Sequence, residues 1–125
     1  MWGNSSSDLR VKNIHREYEA GLDALCRLRP VVYSYRDNET IMMDHPEKRC
    51  LVEVRPPPRA GELIGLVAQE CEDVMPEMIG RREAILDGER VTDMRTLDAS
   101  PLIYALINAV KELSARLREV EAKLQ

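Results

Sequence analysis

Ser7 and Lys12 stand five residues apart in Ser7-Asp8-Leu9-Arg10-Val11-Lys12. A serine hydroxyl is a weak nucleophile until a base takes its proton. A lysine amine is such a base only when neutral, and an apolar or cationic setting favours the neutral form. Arg10 is a cation two residues from Lys12, and Leu9 and Val11 supply apolar walls once the segment packs in an assembly. The implied chemistry is nucleophilic attack on a carbonyl. The same residues suit a plainer role, with Ser7 in a loop or at a cap and Lys12 solvated. On spacing alone that role is the commoner one.

Other candidates for chemistry are sparse. Gln69 and Glu70 follow an apolar run and are either polar groups of a site or the solvated start of a helix. Asp87-Gly88 reads as a turn, and Asp93 and Asp98 as turn and capping residues. The six methionines are scattered and read as core filler. The three cysteines, Cys26, Cys50 and Cys71, are far apart and form no Cys-x-x-Cys pair, so they read as reduced, partly buried thiols. His15 and His45 have no second ligand at a zinc spacing, so no metal is expected. No phosphate loop, paired-carboxylate site or Ser-His-Asp set can be assembled, and no cofactor is expected.

Elements must position the serine and lysine. Ile14, Tyr18, Leu22, Leu25 and Leu28 recur at steps of three and four, which predicts a helix of about 15 residues ended by Pro30. Val31–Tyr35 reads as a strand, Asp37–Glu39 as a turn, and Leu51–Val54 as a second strand. Pro56-Pro57-Pro58 reads as an extended linker. Leu63–Val67 is a short buried-strand candidate, and Ala68–Val74 one or two helical turns stopped by Pro76. Asp87-Gly88 joins Ala84–Leu86 to Arg90–Thr92 in a hairpin.

Ser100-Pro101 is a helix start, with Ser100 as N-cap and Pro101 at the first helical position. No Gly or Pro follows. Ile103, Leu106, Val110, Leu113, Leu117, Val120 and Leu124 alternate in steps of three and four, a coiled-coil seam over about three heptads. Such a helix is roughly 37 Å long. So small a core cannot cover its stripe, so partner helices are expected, although packing within the chain is the alternative. The mixed Ile, Leu and Val permit a dimer or a trimer.

Composition bounds the rest. The chain has 125 residues, which suits one domain. It is 44% hydrophobic without a single Phe, so its core must be aliphatic. Aromatics at 4% and a net charge of −4 argue against a nucleic-acid partner. No run of 18 apolar residues predicts a membrane span, and Met1–Asn4 is no signal peptide. Residues 1–6 read as a flexible leader, the end of a longer upstream fold or an expression scar. The fold class expected is α+β: a small module of helices and short strands with a long C-terminal helix.

Several segments, in order, resemble one family. They are Ser7–Ile14, Leu25–Tyr33, Gly65-Leu66-Val67-Ala68-Gln69-Glu70, Val74–Glu77 and Ala109–Leu113. Together they resemble the C-terminal intramolecular chaperone domain of endosialidases and of phage tail spikes and fibres, peptidase family S74. The Ser-Asp-x-Arg-x-Lys start and the Gly-x-x-Ala-Gln-Glu segment are its most specific parts. The resemblance implies a homotrimeric coiled coil and a partner in the upstream fibre or spike segment of the same polypeptide. It also implies folding assistance to that segment in the host cytoplasm during virion assembly, followed by autoproteolytic release. Ser7 would be the nucleophile, Lys12 its base, and Ser6–Ser7 the cleaved bond. Asp8, Arg10, Gln69 and Glu70 match supporting motif positions. The implied organisation is a leader at 1–6, the chaperone and autoprotease module at 7–100, and the trimerisation helix at 101–125.

Two other readings stand beside this one. A non-cleaving cap would trimerise on the same tail, and the direct Lys12–Asn13 link favours it, since members often carry one more residue there. The equivalent self-cleaving module of a membrane-tethered transcription factor is the other.

Overall fold

A computed structural model describes residues 5–44, 51–54 and 61–125, the side chains of 41–44 and 51–54 excepted. Met1–Asn4, His45, Cys50 and Pro56-Pro57-Pro58 lie outside the described residues. The fold is α+β, with two antiparallel sheets and a long C-terminal helix among the described residues.

The first element is a single 3-10 turn, Leu9–Val11. The helix expected over residues 14–28 shrinks to α1, Leu22–Cys26, and residues 12–20 carry no regular structure. The cause is a competition for backbone bonds. In a continuous helix the Tyr18 carbonyl would accept from the Leu22 N–H. Instead the Asn108 side chain donates to the Tyr18 and Ala20 carbonyls, at 2.8 and 2.9 Å, and Leu22 N–H donates to Glu112. Two side chains of the C-terminal helix take the places that helical partners would have filled. The apolar spacing was real only from Leu22 onward; Ile14 is 73% exposed.

Strand β1, Val31–Tyr33, pairs antiparallel with β4, Leu63–Gly65, with Val31 opposite Gly65 and Tyr33 opposite Leu63. The β4 segment was expected to be buried, yet Ile64 is 82% exposed. A two-stranded ribbon leaves a face open wherever no further layer covers it. The larger sheet has the order β3-β2-β5-β6, with β2 at Glu39–Asp44, β3 at Leu51–Val54, β5 at Ile79–Leu86 and β6 at Glu89–Leu97. The hairpin β5–β6 turns at Asp87 and Gly88, both at positive φ, which matches the right-handed strand twist. It is longer than the sequence signal at its tip.

Helix α2, Ala68–Glu72, leads through a 3-10 turn at Pro76–Met78 into β5. Cys71, Met75, Met78 and Ala105 form the buried cluster, with Leu25, Leu28, Leu66, Val74, Ile79 and Leu102 packed against it. Methionine fills this aliphatic core, in which no Phe is available. Cys26 is an exposed free thiol and Cys71 a buried one.

Helix α3, Pro101–Lys123, has 23 residues and is about 35 Å long. Just before it, the Asp98 carboxylate accepts from both the N–H and the hydroxyl of Ser100, at 3.0 and 2.7 Å, while the Leu102 and Ile103 N–H groups donate to the Ala99 and Ser100 carbonyls. Ser100 sits at the N-cap, but its side chain makes no cap bond and its hydroxyl is turned back to Asp98. The helix has two distinct faces. Ala105 and Ala109 are buried, and Leu102, Asn108 and Glu112 are half-buried, on the side that meets α1. Ile103, Leu106, Val110, Leu113, Leu117, Val120 and Leu124 are all at least 50% exposed. No helix among the described residues is long and apolar enough to cross a membrane.

Candidate self-cleavage site

The candidate site is built on the first ten described residues. Asp8 caps the 3-10 turn: its carboxylate accepts from the Arg10 N–H at 2.8 Å. Val11 N–H and Lys12 N–H close the turn on the Asp8 and Leu9 carbonyls, at 3.0 and 3.3 Å. One tight turn brings the residues before and after it to the same side. Accordingly Lys12 Nζ lies 2.5 Å from Ser7 Oγ. The five-residue spacing therefore has a local cause, an aspartate-capped turn with serine and lysine at its two ends.

Arg10 has a different role from the one its position suggested. Its guanidinium grips Asp8, with Nε at 3.0 Å and Nη2 at 2.9 Å. Its charge is thus matched by a carboxylate and does not stand as a bare cation beside Lys12. The side-chain bond from Arg10, reinforced by its backbone N–H, holds the Asp8 carboxyl below its ordinary range. Asp8 and Arg10 together brace the turn that spaces Ser7 from Lys12.

All residues from Ser5 to Glu19 are exposed in the single chain, Leu9 at 72% and Val11 at 65%. In the contact as it stands, the ammonium donates to the hydroxyl. Base catalysis needs the reverse, a neutral amine accepting from Oγ. The proximity is present within one chain; the desolvation that favours a neutral amine is not.

The other motif residues lie elsewhere in the fold. Gln69 is exposed on α2, and Glu70 forms a two-pronged pair with Arg29, at 2.6 and 2.9 Å. That pair joins the segment before β1 to α2, and Arg29 holds the Glu70 carboxyl below its ordinary range. Among the described residues, neither Gln69 nor Glu70 shares a hydrogen bond or ion pair with Ser7 or Lys12. Gly65 has a packing reason: a Cβ there would meet the Tyr33 ring at 2.9 Å. Asp93 accepts from Arg95 on β6 at 3.3 Å, and no group of three metal-binding side chains occurs among the described residues.

Sequence reasoning missed Asn108 and Glu112. Their signal was a second stripe on α3, where Ala105 and Ala109 are small enough for close approach and Asn108 and Glu112 are polar beside them. It was hidden by the stronger apolar seam on the other side.

Comparison with known proteins identifies the family. The family model described as chaperone of endosialidase, peptidase family S74, matches residues 7–80, a match that starts at Ser7. The long tail fiber protein Gp37 of Enterobacteria phage K3 is 30% identical over 121 residues, 94% of this chain and 8% of that protein. The protein of the same name from Enterobacteria phage T2 is 30% identical over 121 residues, covering 94% of this chain and 7% of its own length. That from Enterobacteria phage M1 is 29% identical over 119 residues, covering 94% of this chain and 39% of its own. This chain thus spans less than a tenth of the first two relatives. With the family match covering more than half its residues, the chain belongs to the endosialidase chaperone family, peptidase family S74.

Proposed function

We propose that this chain is the trimerising chaperone module of a phage tail fibre, and that it releases itself by cutting the Ser6–Ser7 bond. Residues 1–6 then belong to the upstream side, 7–100 to the chaperone module, and 101–125 to the trimerisation helix. The observation that carries the reading is the 2.5 Å contact of Lys12 Nζ with Ser7 Oγ across one capped turn. It sits at the start of the family match.

In the proposed reaction Ser7 Oγ attacks the Ser6 carbonyl carbon while its proton passes to Lys12. The Ser6–Ser7 C–N bond breaks, and the nitrogen takes a proton back and becomes the free amine of Ser7. The ester joining Ser6 to Ser7 Oγ is then hydrolysed by water, giving the Ser6 carboxylate and the Ser7 hydroxyl. Three copies joined through Leu106, Val110, Leu113 and Leu117 would bury the exposed turn and dry the amine. That ties the chemistry to assembly.

Physical reasons favour such a device. Intertwined fibres are rich in contacts between distant residues and fold slowly, exposing strand edges meanwhile. A module that associates first raises the local concentration of the three chains. Cutting it away afterwards removes the route back and leaves the fibre kinetically trapped. The setting is the host cytoplasm during virion assembly.

The test places this module behind a trimeric fibre segment and compares it with Val110→Asp. The parent is expected to yield soluble fibre trimer and a released fragment beginning at Ser7. Val110→Asp is expected to lose both. Equal fibre yield from the two would contradict the chaperone role, and fibre without a released fragment would favour a non-cleaving cap.

A further inference from the structure

Helix α3 does more on its inner face than fill a core. Asn108 Nδ2 donates to two carbonyls of the N-terminal arm, Tyr18 at 2.8 Å and Ala20 at 2.9 Å. One turn on, Glu112 Oε2 accepts from the Leu22 N–H at 3.2 Å. Gly21 lies between these contacts and is buried. A Cβ at Gly21 would collide with the Glu112 carboxylate and stand 3.2 Å from Asn108 Cβ. Three hydrogen bonds and a glycine with no room for a side chain therefore converge on residues 18–22. Tyr18 is exposed overall, but its hydroxyl lies beside the Glu77 carboxylate, and local desolvation together with that charge raises it above the ordinary value.

These bonds sit at the root of the arm. From Tyr18 back to Lys12 is six residues, at most about 20 Å of chain, all of it exposed. The same helix presents Val110 and Leu113 outward. Clasp and seam therefore interleave along α3: Asn108 and Val110 lie on opposite sides of one turn, and Glu112 and Leu113 follow on the next.

We infer that Asn108 and Glu112 are positioning residues for self-cleavage, clasping the root of the arm that carries Ser7 and Lys12 onto the helix that carries the assembly seam. The inference rests on the proposed cleavage. Assembly of α3 fixes the height of three arm roots at once, so the three turns enter the assembly at a defined place. Neither residue touches the reacting atoms.

The experiment follows amide exchange at Leu22, the size of the assembly by light scattering, and the rate of cutting at Ser6–Ser7. It uses the parent, Glu112→Ala, Glu112→Gln and Asn108→Ala. In Glu112→Ala, Leu22 is expected to exchange at least about tenfold faster and cutting to slow about tenfold. Amides of β5–β6 and the size of the assembly are expected to stay as in the parent. Glu112→Gln keeps an accepting oxygen and is expected to restore both. Asn108→Ala deletes only the two donor bonds, and it gives the same slowing if Glu112→Ala does not fold. Unchanged Leu22 exchange overturns the clasp, and a size-preserving Glu112→Ala that cuts at the parent rate overturns its role in cleavage. A parent that stays whole overturns the cleavage reading itself and this role with it, while Leu22 exchange still judges the clasp.

Discussion

Lys12 Nζ reaches Ser7 Oγ at 2.5 Å, yet both residues are exposed. The spacing is fixed inside one chain by the turn that Asp8 caps. The dry setting that a neutral lysine needs must come from other surfaces. Proximity and activation are thus separate properties, and they can be broken separately.

Lys12→Arg tests the base without removing the positive charge. A guanidinium stays protonated and cannot accept the serine proton. Cutting is expected to fall by at least about a thousandfold, with the fold intact by circular dichroism. Parent-like cutting by Lys12→Arg would exclude Lys12 as the base.

Leu113→Asp tests the seam. Leu113 is 50% exposed, so the change is tolerated in one chain. A carboxylate at the seam of three helices is costly because the buried charge has no partner. Light scattering is expected to report a trimer for the parent at micromolar concentration and a monomer for Leu113→Asp. A monomeric parent contradicts the seam.

Met75→Ala tests the core. Met75 is fully buried, and its loss leaves a cavity in a cluster of few residues. The expected cost is about 2–5 kcal/mol in denaturant unfolding. A loss well under 1 kcal/mol would mean that this cluster does not hold the module together.

How much of this was legible in the residues follows from where each signal came from. The Asp87-Gly88 turn, the Ser100-Pro101 start and the exposed apolar stripe of α3 are local patterns, and each appears where the residues put it. The Ser7 and Lys12 contact is also local, since a capped turn of three residues makes it. The missing helix at 14–21 was not legible, because its backbone bonds are taken by Asn108 and Glu112, about 90 residues away in sequence. Arg29 with Glu70 was equally hidden, for nothing in either segment names the other. Periodicity finds faces; it does not say which distant side chain will displace a backbone partner.

Acid should loosen that last pair. Glu70 titrates below its ordinary value near 4.5 because Arg29 holds its charged form. A carboxyl depressed in the folded state stabilises fully above its unfolded value, and that contribution is lost as pH falls through the folded one. Glu70→Gln has no such titration. The stability gap between parent and Glu70→Gln is therefore expected to be constant above about pH 5 and to close on further acidification, as read by unfolding across pH 3–6. A gap that widens in acid would contradict the pairing.

The most direct measurement is the intact mass of the purified 125-residue chain, beside Ser7→Ala. The parent is expected to lose Met1–Ser6 and retain a chain beginning at Ser7, while Ser7→Ala keeps its full mass. A parent that stays whole as an assembled trimer, or a Ser7→Ala chain cut at the same bond, contradicts self-cleavage by Ser7.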